Sequence, residues 1–429
     1  MKISKMAVVL TLCLTFSAVV FCSTPDELTI TAVSWDKDTA SASIAELRAM
    51  GPVGLDALFA KYAADIERFK KTGDTDENWK RIAAALDTVG MQKDEYTAHL
   101  YWYTDLEAAK RVAKAQNKPI LSLRLLGNLN EEFSCANSRL FRAILYPNAE
   151  ISKYLSDNYI LHWKSVRPAP RITIDFGDGR KIERTITGNS IHYILDADGN
   201  VIDAIPGLYT PTMFMKYLTS ANLANKAILR LPVIQQNQAR LKYRKENFDA
   251  IVKGRQNAID TTKVEMTETK SGTIAILAAP MAVSKAIVVD EYSILRVYDD
   301  FAKFEPTIKF DDWNKLTAVY SPPQKLDANS IALVRRQNAK TGLTEDEFTG
   351  LFAKLDNFVA LDTTRNEFLF HTKLYEWLNQ NQGRGRIVDL ESFNAQVYDQ
   401  IFQTPNTDKW LGLYSNDVYT ALDGNGIVK

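Results

Sequence analysis

The chain has 429 residues, 52 Lys and Arg against 52 Asp and Glu, and a hydrophobic content of 46%. The length exceeds one typical domain, so two or three units are expected, and the apolar content suffices for buried cores. The zero formal charge, with no run of Lys and Arg interleaved with aromatics, excludes the electrostatic footprint of a nucleic-acid binder.

Residues 1–22 read as an export signal: Lys2 and Lys5 give the positive end, and Met6 to Phe21 the apolar stretch. Polar Ser23 to Glu27 follow, and the stretch is short for a membrane span. An uncleaved N-terminal anchor is the alternative. No later segment is apolar enough to span a bilayer, so the expected product is an exported protein of the periplasm or cell envelope. Of the three cysteines, Cys13 lies inside the signal and Cys22 at its end. Cys22 stands where a bacterial lipoprotein carries its lipid, although bulky Phe21 precedes it where small residues are usual; simple cleavage after Cys22 or Ser23 is the other option. Cys135 is then the one free thiol, and no internal disulfide forms.

From Glu27 to Val33 the pattern is short and alternating. Apolar spacing predicts helices over Ser41–Met50, Leu55–Phe69, Trp79–Val89 and Lys93–Tyr103, a helical N-terminal region covering 27–103. A helical pattern follows over Asp105–Ala115, then an apolar run, Ile120–Leu126, that suits a buried strand. Gly127-Asn128-Leu129-Asn130 breaks it. Cys135 begins a further helix whose apolar face is Leu140, Phe141, Ile144 and Leu145. A thiol at a helix start lies near the positive end of the dipole, which favours thiolate, the reactive form. Ile172, Ile174 and Phe176, the turn Gly177-Asp178-Gly179, and Ile182, Arg184 and Ile186 predict a hairpin. Asp196 to Asn200 is spaced like part of a calcium loop but lacks the downstream glutamate of an EF-hand, so a plain hairpin turn is expected.

After Leu218 the pattern is mostly helical. Leu241–Lys253 reads as a solvated, charged helix face and Thr261–Thr269 as a linker. Ile274–Val289, interrupted by Pro280, reads as two short buried segments. Pro322-Pro323 marks a loop. Phe348–Val359, Asn366–Leu378 and Asp389–Phe402 read as amphipathic helices, and Asp423-Gly424-Asn425-Gly426 as a flexible tail.

The order helix, Lys118-Pro119-Ile120-Leu121 strand, short loop, Cys135-Ala136-Asn137-Ser138 at a helix start, Pro147 to Ile151, Tyr159-Ile160-Leu161, and the late pair around Leu195 to Ile202 resembles a thioredoxin-fold domain. Gly207 to Pro211 and a helix from Met213 to Leu218 would close it. The resemblance covers roughly 100–220. It implies a thioredoxin-like α/β domain at 104–222, a mixed sheet flanked by helices, followed by a mostly helical C-terminal region at 223–429. Two departures stand out. The family's Cys-x-x-Cys is here Cys135 to Ser138, without a resolving thiol. Ser190 falls near the place of the family's cis-proline.

Two functions follow from the resemblance. One is a monothiol thiol-disulfide redox protein acting through Cys135, with Ser138 beside it and a second thiol from a protein partner or a low-molecular-weight thiol. The other is a redox-inactive binding or scaffold protein of the cell envelope. For Cys135 itself, a reactive helix-start thiol and a small buried apolar residue both remain open. His192 lies near the strand that should pass the thiol, and a Cys–His pair would activate it; a core position is the plainer reading. Arg139 and Arg142 either hold the thiol's charge or an acidic ligand, or are solvated. Arg384 and Arg386 read as loop. His99, His162 and His371 are scattered, so no metal site or cofactor is expected. Glu367 and His371 share a helix face, but Phe368, Phe370 and Leu374 make it an ordinary packing helix. No phosphate loop, nucleophile elbow or paired-carboxylate motif is present.

Overall fold

The computed structural model describes residues 24–185, 188–265, 310–383, 388–402, 404–407, 409–410 and 427. The expected export signal at 1–22, Ile274–Val289, Arg384, Arg386 and Asp423–Gly426 lie outside the described residues.

Five helices open the chain: α1 (Pro25–Thr31), α2 (Lys37–Ala49), α3 (Pro52–Lys61), α4 (Ala63–Thr72) and α5 (Glu77–Gly90). Their starts are written locally. Thr24 and Glu27 form a reciprocal cap on α1, and Asp36 and Asp76 accept backbone N–H groups at α2 and α5. The alternating stretch Glu27–Val33 is therefore largely helix, and the expected Leu55–Phe69 helix is two helices meeting at Tyr62. Gly54 fits α3 against α2, because a Cβ there would lie 2.0 Å from the Leu47 carbonyl oxygen.

The fourth predicted helix, Lys93–Tyr103, does not form. Asp94 and His99 have positive φ, Glu95–Thr97 makes a single 3₁₀ turn, and Trp102–Tyr103 is a strand, β1. Buried Glu95 explains the break: it accepts the Leu100 N–H, while Asp87 accepts the Glu95 N–H at 2.9 Å. Side-chain acceptors thus replace the helical ladder.

The centre is α6 (Leu106–Gln116), β2 (Ile120–Leu126), α7 (Ala136–Leu140) running into a π turn (Phe141–Leu145), α8 (Ala149–Asn158), β3 (Ile160–Arg167), β4 (Arg171–Asp175), β5 (Lys181–Thr185), β6 (Ser190–Leu195) and β7 (Val201–Pro206). Five strands form one mixed sheet in the order β1-β3-β2-β6-β7; β1, β3 and β2 are parallel, and β6 and β7 antiparallel. The apolar run Ile120–Leu126 is its middle strand, and all seven residues are buried. A strand covered on both faces reads as a continuous apolar run, which is why it was visible in sequence. The predicted hairpin is β4–β5, a separate two-stranded ribbon with partly exposed faces.

Long helices complete the molecule: α9 (Pro211–Ile228), α10 (Val233–Thr262), α11 (Phe310–Tyr320), α12 (Ala328–Gln337), α13 (Glu345–Arg365), a π segment (Asn366–His371), α14 (Thr372–Gly383) and α15 (Leu390–Gln400). Leu241–Lys253 lies within α10, but its face is not wholly solvated. Arg244 is fully buried and bonds the Val201 carbonyl. One turn earlier, Arg240 pairs with Asp196 at 2.5 Å, both nearly inaccessible. Asp196 also accepts from Asp198 and Asn200 at the β6–β7 turn. The calcium-like spacing is a hairpin turn pinned by an arginine.

Candidate functional site

The backbone brings Cys135 to the end of the middle strand. Its N–H donates to the Leu126 carbonyl at 3.0 Å, and it is the N-cap of α7. The thiol lies 3.5 Å from Ser138 Oγ and 3.6 Å from the Asn189 carbonyl oxygen. Ser138 Oγ itself donates to the Cys135 carbonyl at 2.8 Å. Cys135 and Ser138 are therefore together, and both are 0% exposed.

The cover comes from the far end of the chain. Tyr398 of α15 donates to the same Asn189 carbonyl at 3.4 Å. The Asn189 side-chain amide donates to the Phe402 carbonyl at 3.1 Å and to Thr404 Oγ1 at 3.2 Å. Burial, with Cys135 nearby, pushes the Tyr398 hydroxyl well above its ordinary range, so it keeps its proton and donates.

Ser190 pairs with Leu125 across the sheet and is buried, and its Oγ has no hydrogen-bond partner. No cis peptide bond occurs among the described residues. His192 does not join the thiol. It fills the core, in ring contact with Phe141 and Phe214. Burial holds its imidazole down to about 3, and the hydroxyl of Tyr146, whose phenol burial pushes well up, is hydrogen-bonded to Nε2 at 2.8 Å. A neutral ring already committed to a tyrosine is not the base of a Cys–His pair. Arg139 is half-buried and bonds Thr185 Oγ1 at 2.8 Å. Arg142 is buried rather than solvated, near the Ser134 hydroxyl and the Glu132 carbonyl.

Comparison with protein-family models, with curated proteins and with solved structures returns no match to this chain.

A second polar cluster was not legible in sequence. Glu367 and His371 lie in the π segment, both fully buried. His371 bridges Tyr209 Oη and Asp203 Oδ1, each at 3.2 Å. Tyr217 and Tyr320 each donate to one oxygen of Glu367. Burial works against the Asp203 charge, yet bonds from His371, Tyr243 and the Ala204 N–H hold its carboxyl below the ordinary value. The i, i+4 spacing of Glu367 and His371 was the only local signal. Their partners come from β7, the loop after it, α9 and α11, which no local pattern announces. No group of three or more metal-ligating side chains occurs among the described residues.

Proposed function

We propose that residues 104–222 form a thioredoxin-type domain used as a binding or scaffold module of the cell envelope, without thiol turnover. The strand order supports the fold assignment: a parallel β1-β3-β2 half joined to an antiparallel β6-β7 half, with a cysteine opening the helix after the middle strand. The envelope assignment rests on residues 1–22 alone. The observation that carries the functional reading is the sealed thiol. A disulfide or oxidant must reach Sγ in line, and Cys135 is 0% exposed, beside an Asn189 that Tyr398, the Phe402 carbonyl and Thr404 Oγ1 hold in place. Ser138 at the second position cannot resolve a mixed disulfide.

Alkylation of Cys135 tests this. In the native protein the reaction should run roughly a hundredfold slower than in denaturant, for a local opening of about 3 kcal/mol. Tyr398→Ala, which removes part of the cover, should raise the native rate. Native alkylation as fast as in the denatured chain, with partners trapped as mixed disulfides, would return the monothiol redox function.

A further inference from the structure

A groove of about 520 Å³ runs between α15 and the ends of β2 and β3, lined by Arg124, Lys164, Glu391, Asn394, Asp399 and Thr407 among others. Its floor is unusual. Arg124 projects from the middle strand with its side chain 1% exposed. A guanidinium this deep requires an anion. The sheet offers it only neutral partners: Ser122 Oγ at 2.8 Å and His162 Nδ1 at 3.3 Å from Nη1. Burial, with Arg124 beside it, holds His162 down to about 3, so that ring carries no charge at neutral pH.

The anion is supplied across the groove. Glu391 gives one oxygen to Arg124 Nη2 at 2.8 Å and the other to Lys164 Nζ at 2.9 Å. Lys164 is the direct register neighbour of Arg124 on β3. Arg124 Nε, the second prong on the Nη2 edge of the guanidinium, is buried without a partner. Arginine recognises carboxylates through two such prongs. Glu391 thus satisfies half of the fork, and its side chain is 50% exposed, free to turn into solvent. Two turns further along α15, roughly 12 Å away, the wall carries Asp399, which disfavours a strongly anionic occupant. Asn394, Gln396 and Asn406 add amide groups along the same wall.

We propose that this groove binds a free carboxylate, at the end of a short peptide or on a small organic acid, which takes both prongs of Arg124 together with Lys164 and displaces Glu391. The site deepens the binding-module reading by naming a ligand class. It is read by ligand binding, so it fails or stands independently of thiol alkylation.

Calorimetric titration tests it with three probes: an alanine tripeptide with a free carboxyl terminus, the same tripeptide amidated, and succinate. The free acid should bind, and the amide at least roughly tenfold more weakly. Glu391→Gln, which removes the internal competitor, should tighten the free acid by roughly tenfold, and Lys164→Met, at an exposed position, should weaken it by a similar factor. An unchanged thermal midpoint and far-ultraviolet dichroism spectrum show that α15 is still docked in each variant. Succinate binding as well as the tripeptide assigns the site to small acids; tripeptide binding alone assigns it to peptide ends. Equal binding of acid and amide, or no carboxylate binding to Glu391→Gln up to about 10 mM, overturns the proposal.

Discussion

At the scale of single residues, two histidines weaken the fold in acid, while buried Glu95, whose carboxyl burial pushes well up, acts in the opposite direction. Burial holds His162 and His192 each to about 3, with Arg124 and Lys164 adding to the effect at His162. An unfolded imidazole protonates near 6.5, so on acidification the unfolded chain takes up protons that the folded chain refuses. Their effect is absent above that value. Stability then falls as pH descends toward 3, by on the order of 1.4 kcal/mol per pH unit for each ring. Asp203 adds a further loss at lower pH. Its carboxyl is held below the unfolded value, so its stabilisation is present above about pH 4 and disappears as the pH drops through the folded value. Denaturant titrations between about pH 6 and about pH 5 should show the histidine slope, and His192→Phe should lower it by one proton's worth. An identical slope in the variant would sink the assignment, whatever its baseline stability.

At the scale of elements, close backbone approach decides where substitutions are tolerated. In α3, Gly54 lets the helix rest on the backbone of α2, and Gly54→Ala must push the two apart because the Leu47 carbonyl cannot yield. Thermal melts should show a loss of about 3 kcal/mol or more, while Gly350→Ala in α13, with open space around it, should be neutral or slightly stabilising. A mild effect at Gly54 would mean that α2 and α3 do not pack as described. Gly207 marks a second approach: it has φ of 72°, and a Cβ would meet the Asn366 side chain at 2.4 Å.

The elements themselves were largely readable. The β2 run, the β4–β5 hairpin, the α5 and α6 patterns and the cysteine at a helix start all rest on local apolar period or turn residues. What failed was non-local. Lys93–Tyr103 has helical spacing, but Glu95 is drawn into the core and redirects the backbone. Arg244 falls in a stretch that reads as a solvated face, and the partners of Arg124 and Glu367 were hidden because they lie far away in sequence, as with Glu391, 267 residues beyond Arg124. The cover over Cys135 was hidden for the same reason: nothing near Ser134 or Ser138 indicates that Tyr398 and Phe402 arrive there.

Across the whole molecule, regions distant in sequence are bonded to one another. Arg336 of α12 donates to Tyr96 Oη at 2.8 Å and to the Lys70 carbonyl. Trp163 of β3 donates to the Met91 carbonyl at 2.8 Å, and Asn329 to the Pro147 carbonyl at 3.1 Å. A continuous buried cluster extends from Leu28 to Phe402. Unfolding followed by tryptophan fluorescence and by far-ultraviolet dichroism should therefore give coincident transitions. An early fluorescence change leaving most helical signal intact would show that the N-terminal helices melt on their own.

The β4–β5 ribbon has a consequence for how copies of the chain meet. A two-stranded ribbon has two open edges, and an open edge is a template for strands from other molecules, the first step toward fibrils. Here the ribbon carries Arg171, Asp175, Lys181 and Glu183, with Lys181 and Asp175 paired at 2.8 Å where the strands meet the turn and Arg180 bound to Asp178 at the tip. An incoming strand would have to strip water from these ions. The hairpin thus guards its own edges by charge, and concentrated salt, which screens exposed ions, is the condition under which that guard weakens.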